Sequence, residues 1–86
     1  MTGTRRTSDA LRAVPVDGEW DAGELGCGEL VLALRGRMLA MAPGHVLRLV
    51  ALDPGAAADI PAWCRLTGHA LLDHHHPVYL IRRKES

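Results

Sequence analysis

The sequence predicts an α/β (α+β) two-layer sandwich: element order β-α-β-α-β-β, a mixed four-stranded sheet with two helices on one face. Three observations predict it. An apolar pattern of helical period starts at Cys27, a nearly unbroken apolar run follows in "VLRLVAL" (46–52), and a second helical segment opens at "DPG" (53–55). Strands alternating with helical segments are the signature of β-α-β units, and a right-handed crossover between the first two strands places both helices on the same side.

The chain has 86 residues, enough for one small domain with a compact core. With two Trp, one Tyr and no Phe, that core must be filled by Leu, Val, Ile and Met. The polar, unpatterned opening reads as a flexible extension over residues 1–13, ahead of a single domain over 14–84. Ten basic and ten acidic side chains cancel, so no electrostatic footprint for nucleic acid or a membrane surface is expected. The apolar runs are shorter than the roughly 20 residues of a membrane span. Residues 1–13 lack the apolar stretch of an export signal, so the expected location is cytoplasmic and the two cysteines are expected to be reduced.

The first strand is assigned to "VPVDGEW" (14–20), with Pro15 at its start and Asp21-Ala22-Gly23 as the closing turn. From Cys27 onward, Cys27, Leu30, Val31, Leu34, Met38 and Met41 fall within about 100° of one another on a helix and form a core face. Leu32 and Leu39 occupy the opposite side, which is expected to abut a neighbour or a partner. Pro43 and Gly44 end this helix. The run "VLRLVAL" then reads as a central strand. Val46, Val50 and Leu52 share one of its faces, and on a side uncovered by helices they suggest an apolar strip for a homodimer or a docked partner.

Asp53 is expected to cap the second helix, with Pro54 at its first position. Pro61 falls inside and is expected to kink it near Ala57 or to split it in two. Ile60, Trp63, Cys64 and Thr67 share one face in either version, and Gly68 is the terminator. "ALLDHHHPVYLIRR" reads as two strands joined near His76-Pro77.

The chemistry-bearing residues are few. Cys27, where a Gly/Asp/Glu-rich turn meets the first helix, reads either as an activated thiolate or as a packed cysteine. Cys64, on the core-facing side with Ile60 and Trp63, reads as an inert packed thiol. A redox pair of the two requires Cα atoms within about 7 Å. His74, His75 and His76 invite a metal reading, but a polar turn beside Pro77 accounts for them and no carboxylate or cysteine cluster completes a shell, so no metal and no cofactor are expected. His69 follows the terminating Gly68 and is assigned to the helix C-terminus as a protonated cap. The Arg82-Arg83-Lys84 run reads as a charged strand end that discourages edge pairing.

"WDAGELGCGELVLALRGRM" followed by "VLRLVALDPGAAADIPAWCRLTGHALL" resembles the TusA (SirA-like) sulfur-carrier family over residues 16–83. The second block is the more specific, since "DPG", "DIPAWC" and "TGH" stand in that family's order. The resemblance implies the two-layer fold, and it implies that Cys27 is the family's sulfur-carrying cysteine, which accepts sulfane sulfur as a persulfide and passes it on. It also implies protein partners: a donor of the cysteine desulfurase or rhodanese type, and an acceptor serving tRNA thiolation, molybdenum cofactor assembly or sulfur oxidation. The family places Pro-x-Pro after its cysteine; here Gly28 and Leu30 stand at the two proline positions, with Glu29 between them. Gly28, Glu29 and Cys64 are therefore the supporting candidates around Cys27. The alternative function is a non-enzymatic interaction module of the same fold that no longer transfers sulfur.

Overall fold

The computed structural model describes residues 16–85 and, of Cys27, the backbone. The elements are β1 (Gly18–Gly23), α1 (Cys27–Ala40), β2 (Val46–Ala51), α2 (Ala56–Thr67), β3 (Ala70–His75) and β4 (Val78–Arg82). They form one sheet of order β1-β2-β4-β3. β1 runs parallel to β2, from Gly18 beside Leu47 to Gly23 beside Ala51. β4 is antiparallel to β2, and β3 is antiparallel to β4. The predicted mixed four-stranded sandwich is the fold observed.

The parallel β1–β2 pair cannot be closed by a tight turn, and α1 supplies the crossover. Leu30, Leu34 and Met38 of α1, four residues apart, form its buried stripe. Ala56, Ile60 and Cys64 of α2 repeat the same spacing. Both stripes meet Leu47, Leu49 and Ala51 of β2 and Tyr79 and Ile81 of β4 in a single core. Alternate residues of a strand share a face, so this list places both helices on one side of the sheet. Burial of each such aliphatic side chain contributes about 1.5–3 kcal/mol. No helix among the described residues is long and apolar enough to cross a membrane.

Three expectations about the elements change. The first strand lies later than expected: Asp21 and Gly23 belong to β1 instead of closing it. The register shifts between them, and Gly23 has φ 59°, so residues typical of a turn here serve a strand irregularity. Asp53 and Pro54 stand ahead of α2 instead of opening it. Asp53 Oδ2 accepts the N–H of Gly55 at 3.0 Å and its carbonyl accepts that of Ala56 at 3.0 Å, which makes a turn leading into the helix. Pro61 neither splits α2 nor ends it; the helix is continuous from Ala56 to Thr67. The carbonyl that loses its N–H partner belongs to Ala57, an exposed residue.

The uncovered face of the sheet also differs from the apolar strip expected. Val46 lies opposite Arg82, Arg48 opposite Leu80, and Val50 opposite Val78, so two arginines interrupt it. Val46 and Leu80 are already buried. The side of α1 that carries Leu32 and Leu39, expected to abut a neighbour or a partner, is covered by no neighbouring element among the described residues; Leu32 is 72% exposed. The expected extension over residues 1–13, and residues 14–15 of the expected first strand, lie outside the described residues.

Candidate functional site

Both parallel strands end at one edge of the sandwich, and both helices begin there. α1 follows β1 after three residues, α2 follows β2 after four, and the β3–β4 turn arrives at the same edge through the Ala51 N–H, donated to the Pro77 carbonyl at 2.9 Å. Leu52 is tied to the end of β1 by its N–H on the Gly23 carbonyl at 2.8 Å. The carboxyl edge of parallel strands is where α/β folds gather their chemistry, because helix N-termini converge on it.

Cys27 is the first residue of α1. Gly26 precedes it in extended conformation and provides no side-chain cap; the helix opens with the Leu30 N–H on the Gly26 carbonyl at 2.7 Å. The first-turn N–H groups thus have no capping side chain, the arrangement in which the positive end of a helix serves an anion. Glu29 is exposed in that turn. Gly28 is exposed, and a Cβ built on it meets nothing within 4 Å. Leu30 is fully buried. The two positions at which the resemblance expects proline therefore differ in kind: position 28 is open, and position 30 is part of the core.

Charge of one sign gathers at the Cys27 edge, whereas the opposite edge is mixed, with Asp17 and Glu85 beside its basic residues. The segments at the Cys27 edge, residues 21–29, 51–60 and 73–79, contain Asp21, Glu24, Glu29, Asp53, Asp59 and Asp73 and no lysine or arginine. Arg37, Arg65, Arg82, Arg83 and Lys84 lie toward the opposite edge, at the ends of α1, α2 and β4. Glu29 and Asp59 in first turns and Arg37 and Arg65 in last turns also match the helix dipoles.

Cys64 does not join Cys27 at this edge. It lies more than two turns into α2, is 3% exposed, and carries a free thiol whose pKa is pushed up to about 11 by burial, partly offset by the Arg65 charge. The inert reading fits that environment. Two of the three histidines of the β3–β4 turn meet Tyr79. His76 Nδ1 shares a hydrogen bond of 2.6 Å with the buried Tyr79 hydroxyl, and the His74 ring stacks parallel to Tyr79 at 6.0 Å.

His69 is not the protonated helix cap expected. The Gly68 N–H closes α2 on the Cys64 carbonyl at 2.9 Å, with Gly68 in the left-handed conformation at φ 90°. His69 is instead buried, and its Nδ1 accepts the backbone N–H of Lys84 at 3.0 Å. Burial, followed by the Lys84 and Arg83 charges, lowers its pKa, so the ring is neutral at pH 7. Two partnerships escaped the sequence: His69 with Lys84, fifteen positions apart, and His76 with Tyr79. Only the second leaves a trace, since Tyr79 alternates with Ile81 on the buried face of β4.

The chain matches the family described as sulfurtransferase TusA over residues 19–83. It is 38% identical over 74 residues to the sulfur carrier protein TusA of Pseudomonas paraeruginosa, an overlap covering 81% of this chain and 94% of that one. The sulfur carrier protein TusA of Pseudomonas aeruginosa is 37% identical over 73 residues, covering 80% and 92%. That of Pseudomonas fluorescens is 36% identical over 74 residues, covering 81% and 89%. The fold, the cysteine at the start of the first helix and these matches agree: the chain belongs to the TusA sulfurtransferase family.

Proposed function

We propose that this protein relays sulfane sulfur as a persulfide on Cys27, taking it from a protein donor and yielding it to a protein acceptor in the cytoplasm. The observation that carries the reading is the position of Cys27 as first residue of a helix whose opening N–H groups have no side-chain cap. A thiolate there gains from the dipole and from those N–H groups, which lowers a cysteine pKa below its free value of about 8.5. The relatives, named as sulfur carriers, support the same reading.

The Cys27 thiolate attacks the terminal sulfur of the donor's persulfide. The donor's S–S bond breaks, its own thiolate departs, and Cys27 holds the terminal sulfur. In the second half, an acceptor nucleophile attacks that sulfur and the Cys27 thiolate leaves. No cofactor is required by either step. Glu29 adds a like charge in the same turn and weakens thiolate stabilisation relative to a neutral residue. Gly28 leaves the first turn without proline's restriction. The carboxylates of this edge favour a donor and an acceptor, of the cysteine desulfurase or rhodanese type in the first case, with basic docking surfaces.

Intact-protein mass spectrometry after incubation with a cysteine desulfurase and cysteine tests the reading. A one-sulfur mass increment is expected on the wild type and on Cys64→Ser, and none on Cys27→Ser. Absence of the increment from all three, under conditions that load a relative with Pro-x-Pro, would replace sulfur relay with the interaction-module reading.

A further inference from the structure

The opposite edge of the sandwich holds a second arrangement that sulfur relay does not use. The backbone ladder between β3 and β4 ends at Ala70 beside Arg82. One step farther, a side chain takes over from the backbone, where the Lys84 N–H is donated to His69 Nδ1 at 3.0 Å. Arg83, between these two points, is tied to the other side of β4 instead: its N–H goes to the His45 carbonyl at 2.8 Å, and its carbonyl accepts the Gly44 N–H at 3.0 Å. Among the described contacts, the bond that ties Lys84 back toward β3 is the one to the imidazole.

The groups facing that ring from each side are identified. From the end of α2 come the Trp63 indole, with ring centroids 5.2 Å apart, and the Thr67 hydroxyl, which lies 3.5 Å from the His69 backbone nitrogen. From the C-terminal segment come Lys84 and Arg83, and both charges oppose a proton on the ring. The Arg83 Nε is itself buried without a hydrogen-bond acceptor. A proton added at Nδ1 occupies the lone pair that holds Lys84, and it places a third cation beside two others.

We infer that His69 is a proton-operated latch: the neutral ring holds the end of β4 against the start of edge strand β3, and protonation at Nδ1 opens that end of the sheet. Its direction is fixed by the acceptor geometry, since a nitrogen that accepts a hydrogen bond cannot also carry a proton. The latch is closed at neutral and alkaline pH. It opens on the acid side of the ordinary histidine range, because burial and the two neighbouring cations lower the ring's proton affinity. By linkage, a partner that grips the C-terminal segment in its released form raises the proton affinity of His69 to the same extent.

The test is nuclear magnetic resonance on the full-length protein, wild type and two variants, between about pH 8 and about pH 4.5, bracketing the histidine range. At the alkaline end a scalar coupling across the hydrogen bond is expected between the Lys84 amide nitrogen and His69 Nδ1. Toward the acid end it should vanish as the ring titrates, and hydrogen-exchange protection of the Lys84 amide, corrected for intrinsic rate, should fall about tenfold, the equivalent of one lost hydrogen bond. The Leu49 amide in the central strand should keep its protection. His69→Gln keeps an acceptor that does not titrate, so its Lys84 protection should not change with pH; His69→Leu should lack that protection throughout. The latch is overturned if the coupling persists at the acid end, if His69→Gln loses Lys84 protection in parallel with the wild type, or if the ring at alkaline pH carries its proton on Nδ1.

Discussion

The two cysteines stand on helices that begin at the same edge of the sheet, yet their surroundings are opposite. Cys27 opens α1 behind an uncapped glycine and ahead of an open Gly28, in the same turn as Glu29. Cys64 is enclosed in α2 with Ile60 and Ala56, and burial holds its thiol protonated. The difference teaches that the same residue type meets different backbone surroundings at the start of a helix and in its buried middle. The first turn exposes unpaired N–H groups that stabilise negative charge, whereas a core position eight residues down its helix penalises it.

The sharpest way to break this comparison is alkylation at neutral pH. A thiol with a pKa of about 11 is ionised in roughly one molecule in ten thousand at pH 7, so iodoacetamide should label Cys27 at least about a hundredfold faster than Cys64. Peptide mapping of a timed reaction gives both rates, and comparable rates would dissolve the distinction. Next in size is Leu30→Pro. It removes the bond from the Leu30 N–H to the Gly26 carbonyl and a fully buried side chain, and should cost about 3 kcal/mol or more in urea unfolding.

A third prediction concerns alkaline stability. The folded-state pKa of Cys64 is raised from 9.0 to about 11, so the neutral thiol's contribution is complete below pH 9 and is lost as pH rises through 11. Stability should fall across that window by on the order of 2 kcal/mol, a slope that Cys64→Ala should lack in denaturant titrations at successive pH values. The smallest effect is expected from Gly28→Pro. An N–H in the first turn has no partner within the helix, and a Cβ at 28 meets nothing, so proline is accommodated and should add about 0.4–1 kcal/mol by restricting the unfolded chain. Thermal unfolding measures it, and a loss would show that the first turn needs the freedom of glycine.

Both helices and the central strand were legible because each is long enough to show its period. Leu30, Leu34 and Met38 lie four apart, and Leu47, Leu49 and Ala51 alternate. The start of the first strand was misplaced because Asp21 and Gly23 are turn residues by composition and strand residues by pairing; only β2, far along the chain, shows the difference. Pro61 suggests a kink or a split because sequence cannot tell whether the freed carbonyl is accommodated. Cys27 is proposed from its place at a helix start together with the family resemblance. The role of His69 was invisible because its partner is a backbone group fifteen residues away. The acidic edge was hidden for a related reason. Ten positive and ten negative side chains cancel along the sequence, and the stretch of carboxylates without lysine or arginine forms only where both helices start, at the Cys27 edge.

The register irregularities in β1 and β3 carry one more consequence. These are the two outer strands of the sheet, and each loses its regular pairing partway along, between Asp21 and Gly23 in one and between Leu71 and Asp73 in the other. A bulged border carrying Glu19 and Asp21 on one side and Asp73 on the other is a poor template for β-augmentation. Recruitment of another polypeptide by strand addition is thereby discouraged, and with it the runaway stacking of copies that leads to fibrils.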